Sequence, residues 1–329
     1  MLRIHPILFF LLSSLAFSLA GCGDGKQTQS HSDTYDSGEV TIVVDETLKP
    51  IIAQTVEAFE NAYPKATINA VYLPQEEAYQ RLVNPEDSVR LLIGTRELRT
   101  EEMAFFKKKK YTPDVNLIAV DGISVVVHPD NPDSVLSVVQ LKDLLTGKIT
   151  QWNQLNPQRA KGDSITLVFD DGSSSTLQFL ADSVVKGELA LDRLYAAGSN
   201  PKVLQYVSEN PNAIGFIGYN WISDTDEPEA RKFLEMVQQV ALDHQNNDGK
   251  YIYLTPEYSN FYLYSEAYPL RRHIFTIKRE AHRGLGTGFE SYISGTDGQK
   301  IIHTSGLRAT NVVTRQVQLE EGDLREGQK

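Results

Sequence analysis

The chain contains 329 residues, a length at which a folded body usually divides into two lobes instead of enlarging one core. Its formal net charge of −11 at pH 7 argues against a nucleic-acid partner, because DNA- and RNA-binding surfaces are basic. The negative charge does not exclude an anionic ligand, since a local site built from backbone N–H groups binds anions whatever the rest of the surface carries.

The first 21 residues are typical of a signal peptide. Arg3 supplies a positive charge, an apolar run at 7–19 is broken by serines, and 19–22 reads Leu-Ala-Gly-Cys. The run is shorter than the roughly 20 residues that a membrane-spanning helix needs. The last four residues resemble the bacterial lipobox, so we expect cleavage before Cys22 and lipid on its thiol. The alternative is an ordinary secretory signal beside an unrelated cysteine.

Composition divides the remainder of the chain into three segments. Residues 22–38 are mainly Gly, Asp, Ser, Thr and Gln, which cannot bury a core and predict a flexible tether. The folded body is expected at 39–319, and 320–329 form a charged tail. A lipid on Cys22 would place the body in the cell envelope, facing the periplasm or the exterior. Cys22 is the only cysteine, so the chain can form no internal disulfide.

Strand and helix patterns alternate along the body. Such alternation predicts an α/β fold with a parallel sheet and helices on both of its faces. In chain order the predicted elements are strand 40–44, helix 48–63, strand 67–73, helix 76–83, strand 89–94, helix 99–107, strand 115–119, strand 122–128, helix 141–145, strand 165–169, helix 176–185, strand 214–217, strand 268–278 and two helical turns in 285–305.

The stretch 171–176, Asp-Gly-Ser-Ser-Ser-Thr, is the sharpest local signal for ligand binding. It lies between a predicted strand and a predicted helix, and its four hydroxyls can donate to an anion. The unpaired N–H groups of the first helical turn point the same way, and the helix dipole adds partial positive charge. The alternative is an ordinary helix N-cap with surplus serines.

Two further strand ends carry polar residues that fit the same role. Asp45, Glu46 and Thr47 follow the first strand, and Thr95 follows a later strand at Gly94. In open α/β sheets, ligands bind beyond the carboxyl ends of strands, so these two corners and 174–176 are expected to converge. Arg96 suits a bidentate contact to an oxyanion, and a salt bridge with a nearby glutamate is the alternative.

Other chemistries find weaker support. The histidines lack metal-ligand spacing, so we expect neither a metal nor a cofactor. A secreted phosphatase that uses one of Ser173 to Ser175 as nucleophile is the main alternative from another class. Such a nucleophile needs a general base or a metal ion close to its hydroxyl, and the sequence offers neither. We therefore expect no enzymatic activity.

Several ordered blocks resemble the phosphate-binding proteins of bacterial ABC phosphate importers, which have the type II periplasmic binding fold. The resemblance extends from about Val40 to Thr310. One block, Leu-Thr-Gly-Lys-Ile-Thr-Gln-Trp at 145–152, is similar to the family signature of an apolar residue, Thr or Ser, Gly-Lys-Ile and a later Trp. The other blocks are 121–132, 212–219, 268–272 and 298–302.

The resemblance implies two lobes of mixed sheets flanked by helices, with a central ligand cleft and a hinge. Lobe 1 would be 39–125 plus 270–319, and lobe 2 would be 126–269. The chain would cross between them near 120–127 and 262–272, and anion binding would close the cleft. The implied function is capture of inorganic phosphate by a monomer and its delivery to an ABC importer permease, with no chemistry. A phosphate-responsive sensor or adhesion lipoprotein that has no cognate permease is a further alternative.

In that family the anion is held at three corners, and the matching positions carry over to this chain. They are Thr47 with Leu48 at the first corner, Thr95 at the second, and Ser174, Ser175 and Thr176 at the third.

Two departures from the family pattern concern charge. Many members have Asp after the second-corner hydroxyl where this chain has Arg96, and many have Arg shortly before the serines, where 168–171 contain no cation. We therefore hypothesise that the cation has moved to Arg96. A nearby carboxylate would accept a hydrogen bond from a protonated oxyanion, although molybdate or another oxyanion remains an alternative. The candidate acceptors are Asp45, Glu46, Asp170 and Asp171.

Overall fold

The computed structural model describes residues 33–256, 266–280 and 282–311. The expected signal peptide, Cys22 and the tail 320–329 lie outside these ranges. The chain from Asp33 onward forms one compact unit. Within the described ranges, every helix is too short or too polar to span a bilayer.

Strands and helices alternate through most of this unit, as the sequence predicts. The strands are β1 (Gly38–Asp45), β2 (Ala66–Leu73), β3 (Leu91–Gly94), β4 (Asp114–Val127), β5 (Val135–Leu136), β6 (Thr166–Phe169), β7 (Leu194–Ala196), β8 (Ala213–Gly218), β9 (Gln238–Gln239), β10 (Ala241–Gln245), β11 (Tyr251–Leu254), β12 (Arg271–Lys278) and β13 (Arg308–Ala309). The helices are α1 (Lys49–Ala62), α2 (Gln75–Val83), α3 (Thr100–Lys108), α4 (Val138–Leu145), α5 (Trp152–Leu155), α6 (Ser175–Phe179), α7 (Asn200–Glu209), α8 (Pro228–Met236), α9 (Leu285–Ser294) and α10 (Thr296–Thr304).

The main sheet is mixed, with strand order β2-β1-β3-β12-β4-β8-β6-β7, and β9 and β13 also pair with β4. Pairs β1–β2, β1–β3, β6–β7 and β6–β8 are parallel. Pairs β3–β12, β4–β12 and β4–β8 are antiparallel. The α/β fold of mixed sheets flanked by helices is therefore confirmed, and the purely parallel arrangement that alternation predicts is wrong. Local periodicity does not record that β12 returns, late in the chain, between two earlier strands.

Strand β4 is the longest and links the two halves of the sheet. The two separate strands predicted at 115–119 and 122–128 are one continuous strand, because Gly122 stays extended and does not turn. Its residues 114–122 pair with β12, and 123–127 pair with β8. This change of partner falls where the lobes are expected to join. The lobe limits themselves stay a prediction.

The core explains why the strand ends are well placed. Ile42, Val43 and Val44 in β1 are fully buried, as expected for a strand covered on both faces. Helix α1 buries Ile51, Ile52, Thr55 and Phe59, which lie on one helical stripe. Packing on both sides of β1 therefore holds its carboxyl end in place.

Close packing also holds the end of β3. A Cβ added at Gly94 would lie 2.6 Å from Tyr79 Oη, so only glycine fits between β3 and α2. This contact positions Thr95, the next residue. The third strand end, at Phe169, leads into a polar turn and then α6, which continues as a π-helical stretch at Leu180–Val185.

Candidate anion-binding site

The first corner is organised by Asp45. Its Oδ1 accepts hydrogen bonds from Thr47 N at 3.0 Å and Thr47 Oγ1 at 2.9 Å, which caps the short 3-10 turn 46–48. Both side chains are fully buried. Leu48 packs into the apolar core beside α1, so its side chain anchors the corner and does not line it. The Thr47 hydroxyl is therefore held in one position.

The second corner is tied to the first through the same carboxylate. Thr95 Oγ1 lies 2.7 Å from Gln75 Oε1 and 3.4 Å from Asp45 Oδ2. The two oxygens of Asp45 thus contact the hydroxyls of both corners, and the structure brings Thr47 and Thr95 together as the sequence predicts.

The third corner uses its hydroxyls for different purposes. Asp171 Oδ1 accepts from Ser173 N at 2.8 Å and Ser173 Oγ at 2.6 Å, which closes the turn. Ser174 Oγ accepts from Leu177 N at 3.2 Å and caps α6, as the N-cap reading predicts. Ser175 and Thr176 are buried beyond the cap, and Thr176 Oγ1 has no hydrogen-bond partner among the described residues.

The first and third corners meet directly. Thr47 Oγ1 and Ser175 Oγ are 2.9 Å apart, although 128 positions separate the two residues in the sequence. Thr47, Ser174, Ser175 and Thr176 are each at most 1% exposed. The described arrangement is therefore closed around these hydroxyls.

Arg96 points to a different set of partners. Its guanidinium lies 3.6 Å from the Tyr79 ring centroid and makes two hydrogen bonds of 2.8 Å to Glu102. It also lies 3.5 Å from Glu76. Within the described ranges, no hydrogen bond joins its guanidinium to Thr47 or to 174–176. The geometry therefore matches the salt-bridge alternative.

A second arginine, which sequence reasoning did not assign to the site, reaches the hydroxyls. Arg272 Nη1 donates to Ser175 Oγ at 2.9 Å, and its Nη2 and Nε donate to Asp121 Oδ2 at 2.8 and 3.1 Å. Arg272 and Asp121 face each other on β12 and β4, and both side chains are essentially inaccessible. The available signal was the strand pattern, because Arg272 shares a buried face with Ile274 and Thr276.

Two side chains in the turn after β8 were also missed. Asn220 Nδ2 and Trp221 Nε1 donate to the Thr47 carbonyl at 2.8 and 2.9 Å. They fix the backbone of the first corner from the other half of the sheet. The sequence carries no local signal for this role, because the contacts span more than 170 positions.

The four candidate acceptor carboxylates differ in what they already bind. Asp45 and Asp171 hold the turns described above. Asp170 Oδ2 accepts from Asn200 Nδ2 at 3.1 Å, and its buried Oδ1 has no hydrogen-bond partner of good geometry. Burial raises the pKa of Asp170 to about 6. Burial, followed by repulsion from Asp170, Asp45 and Asp171, raises the pKa of Glu46 to about 7. Both groups therefore keep their protons to a higher pH than ordinary carboxyl groups do, and at pH 7 Asp170 is mainly ionised and able to accept a hydrogen bond.

Taken together, the corners offer hydroxyl donors, one buried guanidinium and a protonatable carboxylate. These groups suit a small oxyanion that is itself partly protonated. The Ser175 hydroxyl contacts another hydroxyl and a guanidinium, and neither group takes a proton from it. The arrangement therefore favours binding over nucleophilic catalysis.

The chain is similar to known binding proteins along most of its length. The family model described as a PBP superfamily domain matches residues 28–296. The phosphate-binding protein PstS of Bacillus subtilis is 25% identical over 304 residues, which cover 91% of each chain. The protein of the same name from Staphylococcus saprophyticus is 24% identical over 278 residues, covering 84% of this chain and 80% of the relative.

Solved structures agree on the fold. A putative phosphate ABC transporter substrate-binding protein from Clostridium perfringens, with bound phosphate, superposes with a TM-score of 0.67 at 22% identity. It is matched over 83% of this chain and 100% of its own length. An ABC-type phosphate transport receptor from Vibrio cholerae gives a TM-score of 0.59 at 18% identity, with the same coverage.

Proposed function

The chain belongs to the PBP superfamily, and on that premise we propose that it is a solute-binding protein that captures inorganic phosphate outside the cytoplasm for an ABC importer. The observation that carries the proposal is the meeting of Thr47 and Ser175 hydroxyls at 2.9 Å beside the buried Arg272 guanidinium. The Bacillus subtilis and Staphylococcus saprophyticus relatives, both named phosphate-binding proteins, support the choice of anion and a binding role over an enzymatic one.

In this proposal the anion replaces the contacts that the corner hydroxyls now make with one another. Ser175 and Thr176 donate to phosphate oxygens, and Ser174 keeps its role as helix cap. Thr47 and Thr95 redirect their hydroxyl protons to the anion from Asp45 and Gln75, respectively. Arg272 supplies the positive charge, in place of Arg96, because it already donates to Ser175 and lies in the buried part of the site. Hydrogen bonds to a charged oxyanion in such a site are roughly twice as strong as those between neutral groups.

Selectivity follows from the acceptor. Asp170 Oδ1 is buried without a partner of good geometry, so it stabilises a ligand that brings a proton. Phosphate carries at least one proton near neutral pH, whereas sulfate carries none. A sulfate oxygen facing this carboxylate would leave the buried acceptor unpaired, which costs about 1–3 kcal/mol.

Closure is proposed to follow the predicted lobes, 39–125 plus 270–319 and 126–269. Thr47 and Ser175 fall in different lobes, so their contact exists only when the cleft is closed. The Asn220 and Trp221 bonds to the Thr47 carbonyl also cross this boundary. Strand β4 and the chain that leads into β12 at 266–272 run between these lobes, and we propose that the hinge lies there.

Delivery of phosphate into the cell requires a membrane anchor and a permease. We propose that lipid on Cys22 holds the monomeric protein at the membrane, facing the periplasm or the exterior. A cognate ABC permease would then receive phosphate when the cleft opens.

Calorimetric titration of the body that begins at Asp33 with phosphate, sulfate and molybdate tests the proposal, because this part of the chain is one compact unit. We expect binding of phosphate, at least tenfold weaker binding of sulfate, and weak binding of molybdate. Absence of binding to all three anions would contradict the proposed ligand. Equal affinity for phosphate and sulfate would contradict the role of Asp170. Turnover of a chromogenic phosphate ester would instead favour a phosphatase.

A further inference from the structure

The end of helix α3 carries four consecutive lysines on the surface of an acidic protein. Lys107, Lys108, Lys109 and Lys110 are all exposed, and none forms an ion pair within the described ranges. The whole chain has a net charge of −11, so this concentration of positive charge is a local exception. Four unpaired like charges repel one another, and an anionic partner would relieve that repulsion.

The lysines border a groove that has both cationic and aromatic walls. The groove has a volume of about 270 Å³, and its lining includes Lys109, Arg279, Phe105 and Tyr111. Arg279 donates only to backbone carbonyls, including Leu82 O and Asn84 O at 2.7 Å, so its charge is not cancelled by a carboxylate in the described part of the chain. We call Lys107–Lys110 and Arg279 together the lysine face.

Two carboxylates near this face are paired with other cations. Asp87 pairs with Arg81 at 2.8 Å, and Asp114 lies 3.2 Å from Lys278. These ion pairs leave the positive charge of the lysine face available to a partner.

The lysine face lies next to the point where the chain enters the folded body. Asp33 pairs with Arg90 at 2.6 Å, and Arg90 O accepts from Arg279 N at 2.7 Å. Tyr111, which follows the lysines, donates to Glu280 O at 3.1 Å, and Glu280 pairs with the same Arg90. Asp33 and Glu280 also lie with His282 in a group of potential metal ligands, but the Arg90 cation occupies both carboxylates.

From this placement we propose that the lysine face docks on an anionic phospholipid surface and orients the body against the membrane. Ten residues lie between Cys22 and Asp33, so the eleven steps of chain that join them reach at most about 40 Å when fully extended. A body anchored through Cys22 would therefore hold its entry point, and the lysine face beside it, close to the bilayer. Aromatic side chains beside cations suit the level of the lipid headgroups.

Vesicle co-sedimentation tests the proposal with the body that begins at Asp33, so that no lipid anchor contributes. The probes are vesicles of phosphatidylcholine, with and without phosphatidylglycerol, at low and at physiological salt. We expect binding that requires phosphatidylglycerol and weakens with salt. Each lysine near an anionic surface changes the water-to-membrane partition coefficient by about fivefold. Changing all four lysines to Gln should therefore reduce binding by more than about 100-fold.

The matched control changes Lys161, Lys186, Lys202 and Lys232 to Gln. It removes the same charge from exposed positions elsewhere, and Lys186 shares the left-handed backbone of Lys110, with φ of 53° and 54°. We expect the control to bind vesicles nearly as the unmodified body does. The double variant K108Q/K109Q, with an expected loss of about 25-fold, gives the same answer if the quadruple variant is unstable.

Equal losses in the lysine-face variant and the control would overturn the proposal, as would binding without a preference for phosphatidylglycerol. Lysine-dependent binding that needs the reconstituted permease in phosphatidylcholine vesicles would identify a protein partner and also contradict it. Phosphate titration of both variants reports separately on the anion site. Failure of the phosphate proposal would therefore leave the vesicle result unaffected.

Discussion

Arg96 and Arg272 show how differently two arginines serve one protein. Arg96 lies beside the second corner, but Glu102 and the Tyr79 ring occupy its guanidinium, and its side chain stays 17% exposed. Arg272 is 1% exposed, shares its charge with Asp121 and still has one nitrogen donating to Ser175. Proximity in sequence to a binding corner therefore says less about function than which donors remain directed at the site.

The largest effect is expected at Arg272. Replacing it with Met leaves Asp121 buried without its cation, which should lower the free energy of unfolding by about 3–5 kcal/mol. Phosphate affinity should fall by about 10- to 100-fold with the loss of a charged donor. Denaturant unfolding and calorimetry measure the two effects. Arg271→Ala, which removes a neighbouring arginine paired with the exposed Glu266, is the control and should change both little.

A double variant separates folding from binding. Combining Arg272→Met with Asp121→Leu removes both buried charges, so most of the lost stability should return. Phosphate affinity should stay low. Normal affinity in this variant would show that Arg272 acts only as a structural ion pair, as Arg96 does with Glu102.

Ser175→Ala should have the next largest effect. It removes the hydroxyl that contacts both Thr47 and Arg272, and we expect a loss of affinity of about tenfold, the usual worth of one such hydrogen bond. The exposed Ser173→Ala is the control on the same turn and should bind phosphate nearly normally. Equal losses at both serines would place the effect on the turn as a whole and not on the contact with Arg272.

The carboxylates extend the comparison to pH. Burial raises the pKa of Asp170 to about 6, whereas at Glu102 the effect of burial is outweighed by the combined hydrogen bonds and charges of Arg96 and Arg99, which lower the pKa. Between its unfolded pKa, near 4, and about 6, Asp170 holds more protons in the folded state. Loss of the Asp170 proton should therefore lower the free energy of unfolding by about 2–3 kcal/mol as pH rises from 4 to 7 in phosphate-free buffer.

Variants of the two carboxylates check this assignment. Asp170→Asn should make the decline shallower without abolishing it, because Glu46, whose pKa is raised to about 7, loses its proton over an overlapping pH range. Glu102→Gln should leave the decline in place, since the lowered pKa of Glu102 has the opposite effect, a stability that increases with pH. Denaturant unfolding at a series of pH values provides the measurement, and an unchanged slope in Asp170→Asn would contradict the prediction.

The smallest effect is expected at Arg96. Arg96→Ala breaks a partly exposed ion pair and should cost about 1 kcal/mol of stability, with phosphate affinity altered by less than about twofold. Calorimetry distinguishes this from the hypothesis based on sequence, in which Arg96 supplies the charge. If Arg96→Ala lowered phosphate affinity as much as Arg272→Met, the result would show that Arg96 contributes to anion binding.

Sequence alone predicted what depends on local pattern. The apolar runs of β1 and β6 and the stripe of α1 placed the strand ends, and the polar residues after them include Thr47 and Ser175. The missing parts depend on pairing between distant positions. Arg272 and Asp121 are 151 positions apart, and no local pattern encodes the register that joins them. The continuity of β4 was missed for a related reason, because Gly122 reads as a turn until its partners on both sides are known.

The hydrogen bond from Trp221 to the Thr47 carbonyl should make the fluorescence of this tryptophan sensitive to opening of the cleft. The chain has two tryptophans, and Trp152 is fully buried within one half of the sheet. Opening the cleft would break the Trp221 bond and expose its indole to water, which shifts emission to longer wavelength, while Trp152 would emit unchanged. Trp152→Phe would leave a single emitter, so stopped-flow fluorescence could time phosphate capture and release without an attached dye.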